Sequence, residues 1–418
     1  MAELTPASSQ VERQPLASRS RGERRPRVLF FVEGYTDIRF VVGLSEICDL
    51  TMAVPARAFD ESALKARVAA SGAHVRVHEI AGGRAAFQLR SLAYLWQSVS
   101  DFDVVLSQEM LRGSLNATLV GAIRGVPVVT TMALPPVEYF RCRRERRRIG
   151  LLGAWAGEAV IRTLMTVNGR LATRCLALGP YLEEIAGRYC AATEPGYYYG
   201  VDVATFQPAR ADERAAIRRR LRVPLNAFLI ILASRISHEK DPETVLRAVA
   251  AARARGLDAV LLNLSGGYEE FLALADSLGL ADSSKWVLAR PAVHPMTELA
   301  DYVRASDVLV QGSLEEGLGL SPLEALACGV PVVATNVGGM AAHLGDYATL
   351  TRRRDPGAMT NALLKIAANP EAARVQARRG REYVCREWSR DKAFHELERS
   401  LVSASLRAES SAPQSAAA

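Results

Sequence analysis

Gly329-Val330-Pro331-Val332-Val333 repeats Gly125-Val126-Pro127-Val128-Val129, and Asp307-Val308-Leu309-Val310-Gln311 matches Asp103-Val104-Val105-Leu106-Ser107-Gln108. Both matches lie 204 residues apart, so the chain carries one supersecondary unit twice. Each half also opens on a near-continuous apolar run, 28–32 and 228–233. Runs without polar alternation belong to strands buried on both faces of a parallel sheet. Helical patterns fill the intervals, as at 242–255, 269–278 and 296–305. Strands alternating with helices, twice over, predict two doubly wound, Rossmann-like α/β domains. Such sheets take their ligands at the carboxyl ends of the strands, which here face a cleft between the halves.

A length of 418 residues suits about two domains. The halves are expected at 27–198 and 199–385, joined near Gly200-Val201-Asp202. Residues 1–26 are polar and Arg-rich with no apolar core, which predicts a disordered leader and not a signal peptide. The Ser/Ala-rich stretch 408–418 is expected to be a disordered tail. Hydrophobic content of 49% and charged content of 23% are those of a soluble globular protein. The longest apolar stretch, 149–167, carries Glu158 and Arg162 four residues apart, a helix-face pair that argues against a membrane span. Cys48, Cys142, Cys175, Cys190, Cys328 and Cys385 show no paired spacing and read as reduced thiols of a cytoplasmic protein.

The net charge of +7 is concentrated in Arg141-Cys142-Arg143-Arg144-Glu145-Arg146-Arg147-Arg148, six arginines in eight residues. No nucleic-acid module accompanies that run, so a nucleic-acid partner is not expected. Followed by the helix-compatible 149–167 and Trp155, it is a candidate for peripheral contact with an anionic membrane, against the plainer reading of a solvated helix.

The candidate site spans 315–339. Gly317 and Gly319 loosen a loop that runs into Ser321-Pro322-Leu323-Glu324, which reads as a capping box. A helix over 323–328 should follow, stopped by Gly329, and then a buried strand over 330–334. A loop feeding a helix N-terminus is an anion site, through free N–H groups and the helix dipole. Glu316 and Glu324 flank it, and carboxylates accept hydrogen bonds from hydroxyls. Phosphate donors beside hydroxyl acceptors suggest a sugar nucleotide.

This segment resembles, nearly residue for residue, the donor-site signature of the family 4 retaining glycosyltransferases, which have the two-domain GT-B fold. The resemblance implies that Glu316 touches the transferred sugar and that Glu324 holds the nucleotide ribose. It implies that Arg235 and Lys240, in the loop after the 228–233 run, neutralise the donor diphosphate and act with Glu316 in catalysis. It places Gly317, Gly319, Leu320 and Ser321 along the donor, with Gly266 near the nucleotide, Arg290 by the base pocket and Gly34 on the first-domain side. It further implies a helix over 386–407 that crosses back to the first domain, and a nucleoside-diphosphate sugar as co-substrate with no metal or other cofactor. The acceptor would be a glycan, a lipid-linked sugar or a small molecule.

Three positions depart from the family pattern: Met132 stands where a His is usual, Ala342 where a Glu is usual, and Gly34 is a single glycine in place of a pair. These keep two alternatives in view, an epimerase or phosphorylase on the same fold and a non-catalytic sugar-nucleotide-binding protein. Asp101-Phe102-Asp103 precedes its strand, so Asp103 reads as a strand-entry residue and not part of a metal motif. The six histidines show no metal-ligand spacing.

Overall fold

The computed structural model describes residues 24–411 apart from 35, 62–63, 148–149 and 293–295. Two parallel sheets dominate it. The first comprises β1 (Arg27–Phe31), β2 (Asp49–Pro55), β3 (Val75–Ile80), β4 (Val104–Ser107), β5 (Val128–Met132), β6 (Arg174–Leu178) and β7 (Thr193–Gly196). Its strand order is β3-β2-β1-β4-β5-β6-β7. The second comprises β8 (Phe228–Leu232), β9 (Ala259–Leu264), β10 (Val287–Arg290), β11 (Val308–Gln311), β12 (Val332–Thr335) and β13 (Thr349–Thr351), in the order β10-β9-β8-β11-β12-β13. In each sheet the first strand in sequence sits inside, flanked by the second and by a later one, which marks a doubly wound sheet and its switch point.

The internal repeat has a physical meaning in both halves. Asp103 accepts a hydrogen bond from the backbone N–H of Arg27 at 2.7 Å, and Asp307 accepts one from Leu229 N–H at 2.8 Å. Each aspartate thereby ties the start of its strand to the sheet's first strand. Gly125 and Gly329 end their helices with φ of 70° and 68°, a left-handed conformation in which a side chain is strained. Val126 N–H then reaches back to Gly121 O, and Val330 N–H to Ala325 O, both at 2.9 Å. Pro127 and Pro331 follow, and each lends its carbonyl to the neighbouring strand at 2.9 Å, a place where no N–H is needed.

Six helices position the cleft: α1 (Ile38–Ile47), α2 (Pro136–Arg147), α3 (Leu151–Leu171), α4 (Leu320–Ala327), α5 (Pro370–Glu387) and α6 (Arg390–Ser411). Helix α5 packs on α4 so closely that a Cβ on Gly380 would lie 2.7 Å from Leu326. The chain then turns at Trp388 and Ser389, where Val201 N–H bonds Trp388 O at 2.7 Å and Arg390 N–H bonds Val201 O at 2.8 Å. Beyond that turn, α6 lies against the first sheet, with Phe394 wedged over Gly43 and Phe40 of α1. Helix α6 extends to Ser411, past residue 408 where the tail was expected to begin. Residues 1–23 of the leader expected at 1–26, and the remaining tail at 412–418, lie outside the described residues.

Candidate functional site

The carboxyl end of β8 opens into 233–241 and that of β11 into 312–319, so the two loops meet at the switch point of the second sheet. A single turn at His238–Lys240 and an αL Asp241 (φ 42°), which caps the following helix through Thr244, aim Lys240 inward. Lys240 Nζ pairs with Glu316 Oε2. The same oxygen accepts from Ser313 Oγ at 3.1 Å and from Gln311 Nε2 at 3.3 Å. Glu316 is only 8% exposed, and this ring of donors is what its burial requires. Arg235 is exposed, and among the described residues its guanidinium makes no hydrogen bond or ion pair.

The start of α4 corrects the capping reading. The helix begins at Leu320, not at residue 323, with Gly319 as its N-cap at φ 91° and no side-chain cap. Ser321 Oγ donates instead to Ala233 O at 2.8 Å, which fastens α4 to the end of β8. Pro322 falls at the third helical position and brings no N–H. Among the described residues no side chain caps the first-turn N–H groups of Leu320 and Ser321. Glu324 turns away from that end and pairs with Arg39 Nη1 of α1 at 2.7 Å.

Arg39 was not singled out from the sequence. It stands 285 residues from Glu324, and only the folded cleft brings the two together. Its guanidinium is held by Asp37 through bonds of 3.0 Å from Nε and from Nη2, by Tyr199 Oη at 2.6 Å, and by the face of the Tyr199 ring. Burial pushes the Glu324 carboxyl above its ordinary range, and the Arg39 charge and hydrogen bond work against that shift. Oxygen Oε1 faces Arg39.

Close backbone approach shapes the rest. A Cβ on Gly317 would lie 2.3 Å from Ala133 O, across the cleft in the first domain. Cβ atoms on Gly338 and Gly339 would lie 2.1 Å from Glu316 O and 1.9 Å from Gly317 O, and Gly339 N–H bonds Glu316 O at 2.9 Å. Gly266 has open space where a Cβ would be. His343 Nε2 donates to Leu318 O at 2.8 Å, and its burial holds the imidazole pKa down. Arg290 and Gly34 stand apart from this cluster. Arg290 donates to Leu221 O and Tyr302 Oη at 2.7 Å, and Gly34 lines a small cavity at the ends of β1 and β4 with Gln108 and Gly113.

The first domain contributes Tyr139 and Glu138 at the start of α2, Tyr181 and Met132. Tyr181 Oη donates to Glu315 Oε1 at 3.1 Å, and burial raises the Glu315 pKa. Met132, at the end of β5, is buried and offers no proton to the cleft. The arginine run is more occupied than its sequence suggests. Arg143 pairs with Glu239 of the second domain at 2.9 Å, Arg354 pairs with Glu145, and Arg141 and Arg144 reach Glu158 of α3. Arg148 lies outside the described residues. Among the described residues no three His, Cys, Asp or Glu side chains are grouped to hold a metal.

Residues 213–383 match the family described as glycosyl transferases group 1. D-inositol 3-phosphate glycosyltransferase 1 of Catenulispora acidiphila is 30% identical over 310 residues, covering 69% of this chain and 68% of that protein. The D-inositol 3-phosphate glycosyltransferase of Streptomyces avermitilis is 36% identical over 203 residues, 45% of this chain and 42% of its own length. Among solved structures, Anabaena HepE in complex with UDP superposes with a TM-score of 0.69 at 16% identity, over 90% of this chain and all of that one. WaaG, a glycosyltransferase involved in lipopolysaccharide biosynthesis, gives 0.65 at 13% identity over 90% and 99%. At such identities the structures speak for the fold: two parallel-sheet domains in the GT-B arrangement.

Proposed function

The chain belongs to the glycosyl transferases group 1 family, and from that premise we propose that it moves a sugar from a nucleoside-diphosphate sugar to an acceptor hydroxyl with retention at the anomeric carbon. The observation that carries this reading is the convergence, at the end of β8, of exposed Arg235, the Lys240–Glu316 pair and the start of α4, which no side chain caps among the described residues.

Each part has a chemical task. Arg235, Lys240 and the N–H groups of Leu320 and Ser321 hold the diphosphate, and they bind more strongly as its charge develops on leaving. Glu316 accepts from the sugar hydroxyls while Lys240 bridges it to the phosphate. Glu324 accepts from the ribose hydroxyls through its second oxygen, and Gly266 lets the nucleotide approach the backbone closely. The anomeric C–O bond to the phosphate breaks with its electron pair going to phosphate oxygen. The acceptor oxygen bonds the anomeric carbon on the same face, and its proton passes to that phosphate oxygen. This route needs neither a His at position 132 nor a metal. HepE structures hold UDP, and UDP-glucose as well, which makes UDP-glucose the first donor to try.

The experiment is mass spectrometry of products from a panel of nucleotide sugars with glycan, lipid and small-molecule acceptors, with and without EDTA. A new glycoside that forms in EDTA is expected. Donor binding without turnover across the panel would favour the non-catalytic alternative, which Met132 and Ala342 keep in view.

A further inference from the structure

The outward face of α3 is apolar over its first three turns. Leu151 and Leu152 are each 86% exposed, Trp155 75% and Val160 59%, and the exposed Ala156 and Val167 continue the stripe. At 3.6 residues per turn these six share one half of the helix, interrupted beyond Val160 by exposed Thr163 and Arg170, while Ala154, Met165 and Asn168 pack inward. A contiguous stripe of this kind, with a tryptophan near its start, is unusual on a surface that meets only water.

Cations border it. Arg162 and Arg170 are exposed along the helix, and Arg141 and Arg144 of α2 reach Glu158 at the edge of the stripe. Over 136–171 eight arginines stand against three glutamates. Of those glutamates, Glu158 is taken by Arg141 and Glu145 by Arg354 of the second domain.

We propose that this face of α3 lies in the surface of an anionic lipid bilayer, with Leu151, Leu152 and Trp155 entering the acyl boundary and the surrounding arginines on the head groups. The arginine run by itself is not the contact, since Arg143 is committed to the second domain through Glu239. The apolar stripe supplies the insertion and the arginines the choice of lipid. One convex helix needs no shaped partner to enter lipid. A second copy is the poorer occupant, because a two-fold interface would set the same arginines against themselves. No helix of the described residues is long and apolar enough to cross the membrane, so the contact is one of surface residence. Helix α2 joins the two places: Tyr139 near its start lies at the cleft, and Arg141 and Arg144 further along it reach Glu158 of α3.

The test uses the full chain and vesicles of phosphatidylcholine with or without phosphatidylglycerol. Co-sedimentation with the anionic vesicles at low salt is expected, weakened by high salt, with little binding to neutral ones. The triple variant Leu151→Ser, Leu152→Ser, Trp155→Ser changes only exposed positions and should keep the wild-type melting temperature. It should raise the lipid needed for half-binding by at least about tenfold. Absence of sedimentation at low salt overturns the proposal, as does undiminished binding of the triple variant. A dimer in sedimentation velocity that the triple variant splits, with vesicles unbound, would assign the face to a second copy and overturn it too.

Discussion

Lys240 and Glu316 form one ion pair, so neither can be changed without stranding the other. Their side chains are 14% and 10% exposed, and removing one member of a nearly buried pair costs on the order of 3–5 kcal/mol. Lys240→Ala should therefore lower the melting temperature, and at a temperature where it stays folded it should lower turnover about 10²-fold or more. Unchanged turnover would remove Lys240 from the diphosphate site. The two glutamates separate differently. Glu324→Gln should weaken both the free nucleoside diphosphate and the sugar nucleotide, and Glu316→Gln only the latter, measured by calorimetry with each ligand. Arg39 supplies a further test. Without its cation the buried Glu324 carboxyl rises further, so the folded protein holds that proton to higher pH. A raised folded-state pKa makes stability present at low pH and lost as pH rises. The melting-temperature gap between wild type and Arg39→Gln should thus be widest above neutrality and narrow in acid. Nucleotide affinity of the variant should recover as pH rises and the carboxylate reforms. A gap independent of pH would mean that Arg39 acts only as an interdomain contact.

At the scale of elements, the loop before α4 owes its path to glycines that nothing larger can replace. Gly339→Ala would place a Cβ against Gly317 O, and overpacking of this kind costs about 1–3 kcal/mol. Gly266→Ala meets open space after β9 and should leave the melting temperature within about 1 °C. If the nucleotide passes there, the same substitution should raise the donor KM; an unaltered KM would move the nucleotide elsewhere. The contrast distinguishes a glycine required by the protein from one required by a ligand. The start of α4 teaches the same lesson about local reading. Ser321-Pro322-Leu323-Glu324 has the spacing of a capping box, yet Ala233 O takes the serine hydroxyl and Arg39 takes the glutamate. Both partners come from distant parts of the chain and outcompete the local bond.

At the scale of the molecule, α6 belongs in sequence to the end of the second half and in space to the first sheet. Phe394 carries that crossing: it is fully buried on the Gly43 face of α1. Phe394→Ala should cost about 3–5 kcal/mol, read by denaturant unfolding, because the packed face cannot collapse into the space. A loss below about 1 kcal/mol would show that α6 merely rests on the first domain. The two sheets were legible without any of this. A strand buried on both faces must be apolar throughout, and a parallel neighbour must be reached by a helix, so hydrophobic runs, helical periods and the paired Asp and Gly-Val-Pro signals spell the architecture locally. Lys240 and Glu316 were also named from sequence, through the donor-site signature that the chain resembles. What the sequence left open is where side chains meet. Arg39 against Glu324, Arg143 against Glu239 and the bare face of α3 depend on how separate helices are set around the cleft, which is decided by packing among residues far apart in the chain and not by any period along it.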